Sequence, residues 1–371
     1  MSRQIQDKIK KRYRFALLIV LSCVFLLLAV AIGGATYEYA DKKRQARASL
    51  SYEKDNCNEE YKVWPSGEAI GIYVKTSGVM VIDVGAFETS EGFLVSPCEG
   101  LIKKGDYIEK INGEEIKNKA GFMKLLEKNG DSEIILGIVR EGNELTVSVN
   151  AYESSEGGYK LGLWVKDDIA GIGTLTFVDE NGFAALGHSI NDNDTGEMFR
   201  ISEGAIYNAK IVNIVKPTED TPGKLEGIIN YASKNMIGHV ETNESDGISG
   251  YMTDNFLVEE SALDDSDTGW VYLGTRADVS TGPAYIISCV SGERRAYSIE
   301  IEKVSKDENQ SEKNMEIRVT DDELLELTGG IVQGMSGSPI VQDGKLVGAV
   351  THVFVNDSAR GYGIFVETML E

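Results

Sequence analysis

The segment Gly334 to Pro339, GMSGSP, has the composition of a nucleophile loop. A serine that attacks a carbonyl sits in a sharp turn onto which backbone N–H groups converge, and glycine adopts the dihedrals that such a turn needs. In that geometry the N–H groups of Gly334 and Ser336 form an oxyanion hole, each donor contributing about 3 kcal/mol to transition-state stabilisation. Ser336 is therefore the expected nucleophile, ahead of Ser338. Alone, G-x-S-G is also an ordinary turn. What sets this one apart is its surroundings: TGGIVQ before it and the hairpin PIVQDGKLVGAV after it, with Asp343-Gly344 suited to a two-residue turn.

A serine nucleophile needs a general base whose pKa lies near the operating pH, and the chain has 3 histidines. His188 ends the apolar run Gly182–Gly187 at a strand-to-loop junction and precedes the serine, the order found in chymotrypsin. His352, in AVTHVFV, follows Ser336 by 16 residues and reads as a structural strand histidine; His239, in MIGHVET, has no adjoining chemistry. The orienting carboxylate is less well marked, because 59 acidic residues are available. Asp321 lies between His188 and Ser336 in RVTDDELLELTGG, with Asp322 as its immediate rival.

These residues need a scaffold. From Leu161 onward short strand-like runs dominate, among them GIGTLTFV, GFAALGHSI, AKIVNIV, PAYIISCV, GGIVQ, PIVQD and LVGAVTHVFV, with frequent turns and little helical periodicity. That pattern predicts an all-β sandwich or barrel, and the triad order makes a chymotrypsin-like double barrel the expected form over 153–371. Residues 64–152 read differently. GVMVIDV, YIEKING, SEIILGIV and ELTVSV predict strands, and Lys119 to Lys128 has helical spacing at Phe122, Leu125 and Leu126, giving a small α+β unit. Within it Gly105, Asp106, Ile108, Ile111, Asn112 and Gly113 resemble the GD-x-I-x-x-I-N-G signature of PDZ domains. The resemblance implies that a peptide adds a strand to an open sheet edge, with Gly71, Ile72, Tyr73 and Val74 as the peptide-binding loop, although that segment departs from the family's usual loop sequence.

Phe15 to Tyr37 contains no charged residue, and Phe15 to Ala35 is a predominantly apolar run of 21 residues. About 20 helical residues span a bilayer, so 15–37 is expected to be a transmembrane anchor, longer than the ~7 to 15 residues of a signal-peptide core. The basic tail 1–14, with Arg3, Lys8, Lys10, Lys11, Arg12 and Arg14, places the N-terminus in the cytoplasm and the rest outside it. Polar residues 38–63 read as a tether. The formal net charge of −22 argues against nucleic acid as a partner. Cys23, Cys57, Cys98 and Cys289 lack metal or redox spacing, and a Cys57–Cys98 bridge is left open beside free thiols. Asp264, Asp265 and Asp267 read as a solvated loop without the EF-hand pattern, and no metal or other cofactor is expected.

Taken together, LLELTGGIVQGMSGSPIVQDGKLVGAVTHVFVNDSARGYGIF and the upstream ALGHSI resemble the stage IV sporulation protein B (SpoIVB) peptidase family, and the resemblance covers anchor, PDZ-like unit and peptidase. It implies a catalytic triad of His188, Asp321 and Ser336. It also implies a self-cleaving serine endopeptidase exported into the forespore intermembrane space. Its substrate there would be a membrane regulatory protein whose cleavage activates an intramembrane protease and a late mother-cell sigma factor. The chain's own tether is a further candidate ligand of the PDZ-like unit. Two other classes compete: a tethered PDZ scaffold without activity, and an exported quality-control serine protease. The first would lack a triad member, and the second carries its PDZ after the peptidase.

Overall fold

Burial that alternates residue by residue shapes most of this chain. In Arg295–Val304 the side chains of Tyr297, Ile299 and Ile301 point inward while their neighbours face out, as a strand with one dry face requires. The computed structural model describes residues 61–180, 182–218, 221–256, 269–305, 313–354 and 356–370. The expected anchor, most of the tether, Cys23, Cys57 and the Asp264–Asp267 run lie outside these residues. Among the described residues, no helix is long and apolar enough to cross a membrane.

The longer elements of the first half are β1 (Lys62–Pro65), β2 (Ala69–Val84), β3 (Tyr107–Ile111), α1 (Lys119–Asn129), β4 (Glu133–Arg140), β5 (Asn143–Asn150) and β6 (Leu163–Val178). Next come β7 (Phe183–Ala185), β8 (Glu203–Val215), β9 (Lys224–Ile229), β10 (Met236–Glu244) and β11 (Gly247–Met252). The last part holds β12 (Val271–Leu273), β13 (Gly282–Ser288), β14 (Arg295–Val304), β15 (Met315–Val319), α2 (Asp322–Thr328), β16 (Pro339–Gln342), β17 (Lys345–Phe354), β18 (Asp357–Phe365) and α3 (Val366–Met369).

Antiparallel pairing closes two rings. The first runs β6, β2, β8, β10, β11, β7 and back to β6. The second runs β13, β14, β15, β18, β17, β16 and back to β13. Ring closure leaves no unpaired sheet edge. Ile70, Ile72, Val74, Leu175, Leu186 and Ile206 fill the first barrel; Ile286, Ile299, Ile317, Met335, Ile340 and Val350 fill the second. Each fully buried side chain of this size contributes about 1.5–3 kcal/mol. The Asp343-Gly344 turn joins β16 to β17 with φ of 51° and 75°, the paired positive values of a type I′ hairpin, as expected from the sequence.

The α+β unit does not precede the barrels; it is inserted into the first one. Residues Ala69–Lys75 of β2 pair with Asp168–Thr174 of β6 inside the barrel, whereas Met80–Val84 pair with Leu163–Lys166 of the same strand in the insert. The insert's sheet continues through β3, β4 and β5, with α1 against it, around Val79, Ile108, Ile111, Phe122, Leu126, Ile134, Leu136, Leu161 and Val165. The boundaries expected at 63/64 and 152/153 are thereby corrected. Ile70, Ile72 and Val74 belong to the first barrel's core, Val63 to a cluster shared by both barrels, and Leu161 and Val165 to the insert. The change of unit falls at Gly78 (φ 73°), where a Cβ would lie 2.1 Å from the Ile108 carbonyl oxygen. Cys98 lies in the insert core without a disulfide partner among the described residues, and burial pushes its thiol pKa up to about 12.

Candidate active site

His188 and Ser336 line one cleft of ≈ 1180 Å³, walled by Ile72, Leu186 and Ile190 from the first barrel and by Gly334, Thr351 and His352 from the second. Residues 148 positions apart in the chain thus meet between the two barrels.

A turn directs His188 there. β7 ends at Ala185, whose carbonyl accepts the Gly187 amide at 3.0 Å across Leu186. Leu186 has φ 72° and Gly187 has φ 72°. A γ-turn with a positive central φ is rare and strained, and leucine adopts it only where packing compels it. Leu186 is 5% exposed in the first barrel's core, which supplies that packing. The His188 Nδ1 lies 2.8 Å from the Ser189 carbonyl oxygen. Downstream, Asn243 fixes the loop at both ends. Its Oδ1 accepts from the Ile190 amide at 2.7 Å, and its Nδ2 donates to the carbonyls of Ile190 and Phe199 at 3.0 and 2.9 Å.

The serine loop is shaped by alternating amides. Those of Gln333, Met335, Gly337 and Ser338 donate to the carbonyls of Gly223, Val332, Val350 and Met335. Among the described residues, the Gly334 and Ser336 amides have no acceptor. These are the two donors the sequence assigned to an oxyanion hole. Gly334 has φ 100°, and its carbonyl accepts the Thr174 hydroxyl at 2.7 Å, which ties the loop to the first barrel. The Ser336 hydroxyl donates to the Thr351 carbonyl at 2.7 Å, a resting position from which rotation about χ1 would redirect it.

His352 lies in the same cleft, its ring 5.3 Å from that of His188, rather than serving only as a strand residue. Burial first, then the neighbouring His188 and Lys313, lowers its pKa to about 4. A ring so displaced is neutral at pH 7 and a weak base, which favours His188 for proton abstraction. His239 stacks on Tyr251, centroids 4.9 Å apart, in the β10–β11 pair.

Two expected assignments are corrected. Asp321 does not meet His188: it is the N-cap of α2, its Oδ1 accepting from the Leu324 amide at 3.0 Å and its Oδ2 from the Ser298 amide at 3.3 Å. The cap satisfies helix amides that would otherwise be orphaned, and Asp322 and Glu323 in the first turn complement the helix dipole. Among the described residues, no carboxylate pairs with His188. Asparagine keeps the cap to the Leu324 amide but cannot also accept from the Ser298 amide, so Asp321→Asn is expected to cost about 1–2 kcal/mol of stability and change turnover less than about tenfold. A triad acid lost in this way would lower turnover about 10⁴-fold, and kcat of the variant separates the two.

Gly71, Ile72, Tyr73 and Val74 do not form a carboxylate-binding loop. They lie inside β2, paired with β6 on one side and β8 on the other, so neighbouring strands already occupy both edges. Among the described residues, the longer strands at the edges of the insert's sheet are β5, which pairs with β4 alone, and Leu163–Lys166, which pairs with β2 alone. Near the free edge of Leu163–Lys166, the first amide of α1, that of Lys119, donates to Asp167 at 2.8 Å.

A family model described as SpoIVB peptidase S55 matches residues 157–370. The solved structure described as "Crystal structure of Rv3671c protease, inactive form" is 10% identical, with a TM-score of 0.31, over 53% of this chain and 80% of that one. "HtrA-type protease AlgW with decapeptide" is 9% identical, with a TM-score of 0.31, over 83% of this chain and 63% of that one. No curated protein matches.

Proposed function

From the premise that the chain belongs to the SpoIVB peptidase S55 family and is a serine peptidase, we propose that Ser336 is its nucleophile and His188 its general base. The observation that carries this reading is the cleft itself, which gathers His188, Ser336 and the acceptor-free amides of Gly334 and Ser336 from both barrels. In the reaction, Ser336 Oγ turns from the Thr351 carbonyl and attacks a peptide carbonyl carbon while His188 takes its proton. The two amides hold the oxyanion, the imidazolium returns the proton to the leaving amine, and water releases the acyl group by the reverse sequence.

The wider proposal follows the family resemblance. The chain is a membrane-anchored endopeptidase of sporulation signalling that cuts itself and then a membrane regulatory protein, freeing an intramembrane protease to activate a late sigma factor. The insert acts as a PDZ-like module, and the free edge of Leu163–Lys166, beside α1, suits an added peptide strand such as the chain's own tether.

The test is incubation of the purified full chain beside its Ser336→Ala form, with mass analysis of the products. Fragments are expected only from the chain that retains Ser336. Identical products from both chains, or none from either on itself and on casein, would overturn the reading.

A further inference from the structure

The loop that leaves His188 is tied to the insert as well as to its own barrel. Asp192 is 1% exposed, and its Oδ1 accepts from the amides of Asp194 and Thr195 at 3.1 and 3.0 Å and from the Thr195 hydroxyl at 3.1 Å. Its other oxygen takes the Lys166 ammonium, which also donates to Asp194 at 2.7 Å. Lys166 belongs to the insert half of β6, opposite Met80. Burial would raise the Asp192 carboxyl, but bonds from Lys166 and Thr195 hold it below its ordinary value. A second tie runs from the loop's far end: the Arg200 amide donates to the Tyr107 hydroxyl at 2.9 Å, and the Arg200 guanidinium lies over the Tyr107 ring at 5.2 Å. Ser189, Ile190 and Asn191, between His188 and Asp192, line the cleft, so this stretch of loop is also cleft wall.

We infer that Lys166 and Asp192 are positioning residues for the general base, and that the insert acts through them as part of the catalytic machinery. The inference rests on the serine-peptidase reading. Its physical basis is that a carboxylate this buried keeps its place only while its charge is matched, and removing Lys166 leaves it uncompensated. The loop then relaxes around Asp192, four residues from His188, and a displacement of about 1 Å passed on to the ring is enough to lower turnover by up to ~10²-fold.

The test uses the full chain in detergent. Lys166→Met is expected to lower kcat about tenfold, within the range set by such a displacement, and Lys166→Arg to restore most of it. Amide hydrogen exchange is followed in parallel on chains that also carry Ser336→Ala and so need no turnover. There Lys166→Met is expected to speed exchange across 188–200 and leave β13 and β14 unchanged. Unaltered exchange in 188–200, equal loss in the Met and Arg variants, or faster exchange throughout both barrels would overturn the inference. A parent chain without Ser336-dependent turnover would count against the peptidase reading instead, and the exchange measurement would still decide whether the tie exists.

Discussion

Replacing His188 by alanine is expected to lower turnover about 10⁶-fold, and adding Ser336→Ala to it is expected to lower turnover no further, because nucleophile and base act as one unit. Ser336 alone is a weak nucleophile, and its hydroxyl rests on the Thr351 carbonyl, an acceptor that cannot take its proton. The other ring within reach, His352, is displaced to about 4 and is poorly matched to proton transfer near neutrality. What survives in either variant is stabilisation by the Gly334 and Ser336 amides, with substrate binding, and together these account for the residual ~10³- to 10⁴-fold advantage over water. The measurement is the initial rate of fragment formation from the full chain in the two single variants and the double. A loss for His188→Ala no greater than tenfold would pass the role of base to another group.

Gly337→Ala is expected to destabilise the chain by about 2–4 kcal/mol and to lower turnover at least about 100-fold, through backbone strain, overpacking and displacement of the reacting atoms. Gly337 has φ 96°, and a Cβ there would lie 2.3 Å from the Thr174 carbonyl oxygen and 2.6 Å from the Leu186 amide nitrogen. Both are backbone atoms of the first barrel, so no side-chain rotation relieves the contact. Thr174 also holds the Gly334 carbonyl, and Leu186 is the centre of the turn that delivers His188. A single methyl group therefore pushes apart the two loops whose proximity makes the site. Denaturant unfolding measures the first effect and kcat the second. By contrast, a Cβ on Gly344 meets nothing within 4 Å, so Gly344→Ala tests φ 75° strain alone and is expected to have a much smaller effect on turnover.

Ser336 and His188 stood out in the sequence because few residue types suit an oxyanion turn and histidine is scarce here, and the structure brings both to one cleft. The barrel strands were legible as alternation, and α1 as a helical repeat that ended within one residue of its expected limit. Asp321 was the expected orienting carboxylate by its place between His188 and Ser336 and by the family pattern, and the structure places it as a helix cap. The same residues hold a helix-start signal, Asp-Asp-Glu-Leu-Leu, closed by Gly329 with φ 75°, and that local rule won. GGIVQ reads as a strand but forms the loop before the nucleophile, with Gly330 at φ 126°. Gly71–Val74 and the insertion of the α+β unit depend on which strands pair at long range, which alternation does not encode. Asn243 left no trace in the sequence, since its partners lie 53 and 44 residues away.

The two long strands, β2 and β6, carry a consequence for the order of folding. The first barrel closes only when Ala69–Lys75 meets Asp168–Thr174, and the whole insert lies between them in the chain. Bringing such distant ends together carries a loop-closure entropy, and contacts of this range make folding slow. If the insert forms first, Met80–Val84 is already aligned with Leu163–Lys166, and the same pair of strands has only to zip onward into the barrel. Melting the insert would unfasten that zipper from its anchored end and open the wall of the cleft with it.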